Sequence, residues 1–293
     1  MRLRGLMAGA VSTVLAVTLT ACGGSSDSSN QPSVNAGASF EAGTTMAKLK
    51  EAGKVKVGTK FDQPLFGLKG LDGKPAGFDV EVAKLIAAKL GLTADQIEWV
   101  EAQSKFREEY IEQGKVDFVV ATYTINDKRK ERISFAGPYY TAGQDLMVKA
   151  DDTTITGPEA LKGANAKVCS VTGSTPAEKI KEYADPANIV LFDVYSKCAD
   201  ALRNGQVQAV TTDNVILLGL VDTSKGAFKI AGKPFTEEPY GIGIKKGDTK
   251  FCEFVNETLK TASTDGGYEK AWKDTAGKVA PDAPKLPEIA ACS

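Results

Sequence analysis

The sequence predicts an α/β protein of two lobes, each a mixed β-sheet flanked by helices, with a two-strand hinge between them. Three observations carry this. From Met46 onward short apolar runs alternate with amphipathic stretches, the alternation restarts near Lys167, and two extended, partly polar stretches separate and follow the two rounds. The chain has 293 residues, 42% hydrophobic and 25% charged, which suits two lobes of roughly 100–150 residues each. Lysine plus arginine number 36 and aspartate plus glutamate 37, so no basic excess points to nucleic acid. Histidine is absent, which removes Ser-His-Asp and Cys-His catalysis and any zinc site built on imidazole. A coiled coil, a collagen-like chain and a wholly disordered chain are excluded by composition.

At the start of the chain, Arg2 and Arg4 precede an uncharged run. Its apolar stretch, Leu6 to Leu19, is too short for a membrane span of about 20 residues, and residues 1–21 read as a secretory signal peptide. Leu19-Thr20-Ala21-Cys22 resembles a bacterial lipobox, which implies cleavage before Cys22 and its modification by diacylglyceryl and fatty acyl groups such as palmitate. The alternative is an ordinary signal peptide with an unmodified cysteine. Residues 22–45 are rich in Ser, Gly and Asn and are expected to be a flexible tether with a reach of about 25 Å.

The elements then follow in order. Val55 to Thr59 is a β run. Phe78, Val82, Leu85, Ile86 and Leu90 recur at helical spacing, with Asp79 a candidate N-cap and Gly91 the C′ stop. Ile97 to Val100 and Val116 to Ala121 are further strands, the second apolar enough to be buried on both faces. In the second round Lys167 to Val171 leads to a helix near Pro176. Ile189 to Phe192 precedes a helix over Ser196 to Asn204, and Ala209 to Thr212 precedes Asp213 and an apolar helix. Tyr139 to Ala150 and Pro239 to Ile244 are the crossing stretches, and Lys250 to Thr264 with Tyr268 to Asp274 form a helical tail. Lobe 1 is therefore expected over 46–143 and 239–278, lobe 2 over 144–238, and a disulfide-tied tail over 279–293. Cys169, Cys198, Cys252 and Cys292 make an even number in an exported chain, which suggests two disulfides. Of three connectivities, pairing of nearest neighbours is expected; a metal site has no CxxC spacing to support it.

Several segments in one order carry a family resemblance. They are Gly77-Phe78-Asp79-Val80-Glu81-Val82, Gly114-Lys115-Val116-Asp117, Thr124 to Arg132, and Phe135-Ala136-Gly137-Pro138-Tyr139-Tyr140, followed by Gly173-Ser174-Thr175, Asp213 and Tyr240-Gly241-Ile242. Together they resemble the family 3 solute-binding proteins, the amino-acid receptors of ABC importers, over roughly Leu49 to Gly277. The lipobox, tether and cysteine pairs resemble a Gram-positive, actinobacterial member. The resemblance implies a periplasmic-binding-protein-like fold of type II that closes on one ligand. It implies no enzyme activity, metal or cofactor, and a monomer held on the extracellular face of the cell membrane by the lipid on Cys22. Its partners would be an amino acid and the permease subunits of an ABC transporter.

An amino acid needs a cation for its carboxylate and an anion for its ammonium. The resemblance gives the first to Arg129, whose guanidinium fork suits a carboxylate, with Thr124 and Thr122 beside it. An arginine beside Lys128, Lys130 and Arg132 would otherwise read as part of a solvated cluster. Gly173, Ser174 and Thr175 form a turn before a helix and are the small groups facing the ligand from lobe 2. Asp213, at a strand end where ligands of open α/β sheets bind, matches the ammonium-binding aspartate; its alternative role is a helix N-cap. Ser104, Arg107 and Lys60 match positions that contact the distal carboxylate in acidic-amino-acid receptors. The resemblance therefore implies L-glutamate, with aspartate second. Alternatives are glutamine or another polar amino acid, and a dehydratase-like enzyme on the same fold, for which Glu101 and Glu238 are the nearest general acids.

Overall fold

The computed structural model describes residues 31–292. The predicted signal peptide, Cys22 and the first part of the tether lie outside the described residues. The chain enters through helix α1 (Thr45–Ala52), capped by the Thr44 hydroxyl and stopped by Gly53 at φ 63°. The first sheet region follows as β1 (Val55–Thr59), β2 (Asp62–Gln63), β3 (Gly67–Lys69), β4 (Pro75–Ala76), α2 (Phe78–Lys89), β5 (Ile97–Glu101), α3 (Arg107–Glu112), β6 (Phe118–Val119), α4 (Asp127–Lys130) and β7 (Ser134–Ala142). Next come β8 (Gln144–Lys149), α5 (Ala160–Gly163), β9 (Val168–Val171), α6 (Thr175–Lys179), β10 (Ile189–Phe192), α7 (Tyr195–Arg203), β11 (Ala209–Asp213), α8 (Asn214–Thr223) and β12 (Phe228–Ile230). The chain then returns through β13 (Glu238–Ile244), α9 (Thr249–Thr264) and α10 (Gly267–Asp274).

Two five-stranded sheets result, in the orders β5-β1-β6-β13-β7 and β10-β9-β11-β8-β12, with β2, β3 and β4 forming a small sheet of their own. Each large sheet has three parallel strands and then a strand running against them, β13 in one and β8 in the other. That shared pattern is the repeated strand-and-helix grammar of the sequence made physical, and it builds the two lobes. Parallel strands must be joined by crossovers, and the helices supplying them cover the faces of both sheets.

The chain crosses between sheets twice, and the crossings touch. Only Gly143 separates β7 from β8, and a Cβ there would stand 2.6 Å from the Thr236 carbonyl oxygen of the return segment. The Gln144 N–H donates to Thr236 Oγ1 at 2.9 Å and the Phe235 N–H to the Gln144 carbonyl at 2.9 Å.

Three expectations need correction. Asp79 does not cap α2, whose N-cap position is Gly77; it sits one residue inside the helix and is fully buried. The strand expected over Val116 to Ala121 pairs only at Phe118 and Val119, because the chain must leave the sheet to form the loop described below. Residues 35–44, expected to be part of a flexible tether, are held against the rest of the chain. Asn35 donates its N–H to the Ala88 carbonyl at 2.9 Å, Lys50 bonds the Ala38 carbonyl, and Phe40 meets Phe254 edge-on at 5.5 Å. Residues 35–44 thus lie against α2 and α9; one phenylalanine and a few backbone groups suffice to hold a segment otherwise poor in large apolar side chains.

The cysteines join as Cys169–Cys198, fastening β9 to α7, and Cys252–Cys292, fastening the tail to α9. The tail is also held by the Ala290 N–H on the Gly137 carbonyl at 2.9 Å and by Trp272 Nε1 on the Ala280 carbonyl at 2.8 Å.

Candidate functional site

The C-terminal ends of the parallel strands of both sheets point into one cleft, where open α/β sheets place ligands. From the first lobe, β6 runs into the loop Thr122-Tyr123-Thr124. Thr122 has φ 44°, a left-handed conformation that costs a non-glycine residue roughly 1 kcal/mol or more. Asp79 holds it there. Its carboxylate accepts the Thr122 N–H at 2.7 Å through Oδ2 and the Tyr139 hydroxyl at 2.6 Å through Oδ1. Thr122 Oγ1 in turn donates to Gln63 Oε1 at 3.1 Å.

Arg107 opens α3 and turns inward, with 2% of its surface exposed. Its Nη1 donates to the Ala121 carbonyl at 2.9 Å, its guanidinium lies 3.9 Å from the centre of the Tyr123 ring, and its Nε has no hydrogen-bond partner. Lys60, at the end of β1, is equally buried and donates to Ser104 Oγ at 2.8 Å. Burial, and next the Arg107 charge, push the Lys60 amine down to about 7. Neither side chain points to solvent.

Arg129 departs from its basic neighbours. Lys128, Lys130 and Arg132 are exposed, while Arg129 is 6% exposed. Asn126 caps the short α4 by accepting the Arg129 N–H, which turns the side chain inward. Its Nη1 donates to the Thr124 carbonyl at 2.6 Å, its Nη2 to the Gly173 carbonyl of the second lobe at 3.1 Å, and its Nε lies 3.3 Å from Glu108. Burial above all, then Arg107, lower its pKa to about 10. Each terminal nitrogen carries a second hydrogen beyond these bonds.

From the second lobe, Gly173, Ser174 and Thr175 join β9 to α6, with Ser174 capping the Ala177 N–H at 3.1 Å. Gly173 is required where it stands. It has φ 81°, and a Cβ would lie 2.7 Å from Lys105 Cα of the first lobe. Thr175 Oγ1 shares a hydrogen bond with Thr124 Oγ1 across the cleft at 3.3 Å and donates to Glu238 Oε2 at 2.7 Å. Asp213, 3% exposed, stands at the N-cap position of α8 but makes no capping bond. Its Oδ2 accepts the Tyr240 hydroxyl at 2.6 Å, and its Oδ1 has no partner. Burial, and then repulsion from Glu238, raise it to about 7.

The lobes are thus closed on one another around a narrow cavity whose free space, about 10 Å³, is room for about one water. Ser104, Arg107, Thr122, Thr124, Ser174, Thr175 and Asp213 line it, together with Gln63, Pro176 and Tyr195, which the sequence reading missed. Arg129 and Gly173 instead line the outer mouth of the cleft, and Lys60 lies behind Ser104. Tyr195 was findable: it is the first residue of the helix that follows β10, close to the strand-to-helix turn where such sites lie. Gln63 ends the two-residue strand β2, a segment with no such signal. Of the acids considered for catalysis, Glu101 is exposed, and Glu238 is buried and bonded to the Thr175 and Thr236 hydroxyls. The groups around the cavity suit a small zwitterion once the lobes part to admit it. The buried Arg107 guanidinium faces it from one lobe, and Asp213, with a carboxylate oxygen lacking a donor, faces it from the other.

The family model of the bacterial extracellular solute-binding proteins, family 3, matches residues 55–275. The chain belongs to this family. Among its relatives, this solute-binding protein is 38% identical to the glutamate-binding protein GluB of Corynebacterium efficiens over 283 residues, 93% of this chain and 91% of that protein. It is also 38% identical to the ABC transporter glutamine-binding protein GlnH of Bacillus subtilis, over 90% of this chain and 94% of the relative. A solved structure of an ancestral arginine-binding protein bound to glutamine superposes with a TM-score of 0.71 and 36% identity, covering 77% of this chain and 98% of that one. Among the described residues of this solute-binding protein, no helix is long and apolar enough to cross a membrane.

Proposed function

We propose that this solute-binding protein captures an acidic amino acid, L-glutamate ahead of aspartate, and delivers it to the permease of an ABC importer. It would act as a monomer on the extracellular face of the cell membrane, tethered by a lipid on Cys22. One observation carries the ligand class: Arg107 Nε and Asp213 Oδ1, buried and without partners, face one closed cavity from opposite lobes. A buried polar atom left without a partner costs roughly 1–3 kcal/mol, more when charged, so a ligand that meets both is favoured.

In this reading Asp213 takes the ammonium, and Arg129, with Thr124 and the Ser174–Thr175 turn, takes the α-carboxylate. Ser104, Arg107 and Lys60 take the distal carboxylate. Lys60 decides between glutamate and glutamine: with Arg107 and Arg129 around it, a buried ammonium has much to gain from a second anion and nothing from a neutral amide. The relatives named for glutamate and for glutamine are equally similar, so identity alone does not choose between them. Titration calorimetry with the twenty common amino acids tests the reading. Saturable heat is expected with glutamate, weaker binding with aspartate and much weaker with glutamine; a preference for glutamine over glutamate, or no binding of either acid, overturns it.

A further inference from the structure

The finger that carries β2 reaches out of the first lobe and meets the start of α7 in the second. Helix α7 begins after Val194, whose side chain can accept no hydrogen bond, so the first amides of the helix lack a cap from their own segment. Asp62, from the other lobe, supplies it. Its Oδ2 accepts the Tyr195 N–H at 2.7 Å and the Ser196 N–H at 3.4 Å, across 133 and 134 residues of sequence. Beside it the Pro64 carbonyl presses on α8 at Gly219, where a Cβ would stand only 2.4 Å from that oxygen. The finger thus touches two helices of the opposite lobe, one through a carboxylate and the other through a glycine that admits backbone.

We propose that Asp62 is a closure latch, a positioning residue that sets affinity for every ligand without touching any. The cap exists only while the lobes are together, so it adds its energy to the closed state alone. A ligand's apparent affinity scales with the fraction of protein able to hold it, so removing the latch weakens all ligands by one factor. The latch is tied to the cavity because Tyr195, whose N–H it holds, also lines the ligand space. Loss of a helix cap corresponds to roughly a 2- to 30-fold change in an equilibrium, and that is the factor expected here. Its affinity arm rests on the amino-acid reading above.

The test compares wild type, D62A, D62N and G219A by titration with glutamate, aspartate and glutamine. Hydrogen–deuterium exchange at the Tyr195 and Ser196 amides is followed in the same proteins. D62A is expected to weaken each binding amino acid by the same factor through faster release, and to speed exchange at those two amides. D62N keeps a capping oxygen and retains most of the affinity. G219A, whose methyl group meets the Pro64 carbonyl, weakens binding as D62A does. The latch is overturned if D62A binds and exchanges like wild type. It is equally overturned if D62N loses as much as D62A, since the effect would then be the loss of a negative charge near Lys60. Should wild type bind no amino acid, the functional reading fails alone. Exchange in the ligand-free proteins then decides the latch, faster in D62A supporting it and equal overturning it.

Discussion

At pH 8, binding of glutamate is expected to draw a proton from solution onto Lys60. The amine is 2% exposed and donates to Ser104 Oγ. Burial lowers its pKa to about 7, Arg107 and Arg129 push the same way, and Asp62 and Glu101 oppose them. An amine with a pKa near 7 is roughly one-tenth charged at pH 8. A distal carboxylate beside it favours the charged form, and a return of about two pKa units corresponds to about 2.7 kcal/mol. Each glutamate bound would then take up close to one proton, and affinity would fall by up to about tenfold per pH unit above 7. Calorimetry at pH 8 in buffers of different ionisation enthalpy reads this directly, because the slope of observed heat against buffer enthalpy is the number of protons taken up. Asp213, raised to about 7, is already largely ionised at pH 8 and contributes little. Glutamine shares the α-groups and serves as the control, with little uptake expected. Lys60→Met should remove the uptake. A slope near zero for wild type with glutamate would refute the assignment of Lys60 to the distal carboxylate.

Arg107→Met is expected to weaken glutamate by about 10- to 100-fold, the cost of a hydrogen bond to a charged group, while leaving glutamine within a few-fold. Equal losses for both ligands in a titration series would contradict the division between distal and α-groups. Asp213→Asn keeps an acceptor for the Tyr240 hydroxyl but removes the charge, and every amino acid should bind at least about 30-fold more weakly. In wild type the same group makes affinity fall as pH drops below 7, because the free carboxyl is then protonated and must lose that proton to meet an ammonium; a flat affinity profile between pH 5 and 7 would count against it. Replacing Cys252 and Cys292 by alanine opens a loop of 40 residues and should cost about 4 kcal/mol of stability, read by denaturant unfolding. Because that loop contains no residue of the cavity, affinity well below the melting midpoint should hold, and a large loss there would show that the tail supports the cleft.

What could be read from the chain and what could not divides by the range of the interaction. Strands such as Val55–Thr59 and Ile189–Phe192 and helices such as Phe78–Lys89 announce themselves through local periodicity and caps, and they fold where their patterns lie. Asp213 was marked by a strand end, and Ser104 and Arg107 by the family resemblance alone; all three line the cavity. Asp79 was misread as a cap because its partners, Thr122 and Tyr139, lie 43 and 60 residues away. Arg129 was expected at the heart of the site, yet its nitrogens meet Thr124, Gly173 and Glu108 at the mouth of the cleft, a placement that depends on the second lobe closing. Residues 35–44 looked unstructured because composition counts side chains, whereas the segment is held largely through its backbone and Phe40.

That entering segment and the tail share an anchorage. Residues 35–44 rest on α2 and α9, and the tail is bonded to α9 and β7, so both ends of the described chain belong to the same half of the clamp. A tag, a surface or a fused reporter attached at either end therefore holds that half still and leaves the other jaw free to swing. A reporter of opening needs its second label on the moving jaw, within the β8–β12 half, and two labels placed on residues 35–44 and on the tail would travel together and register nothing.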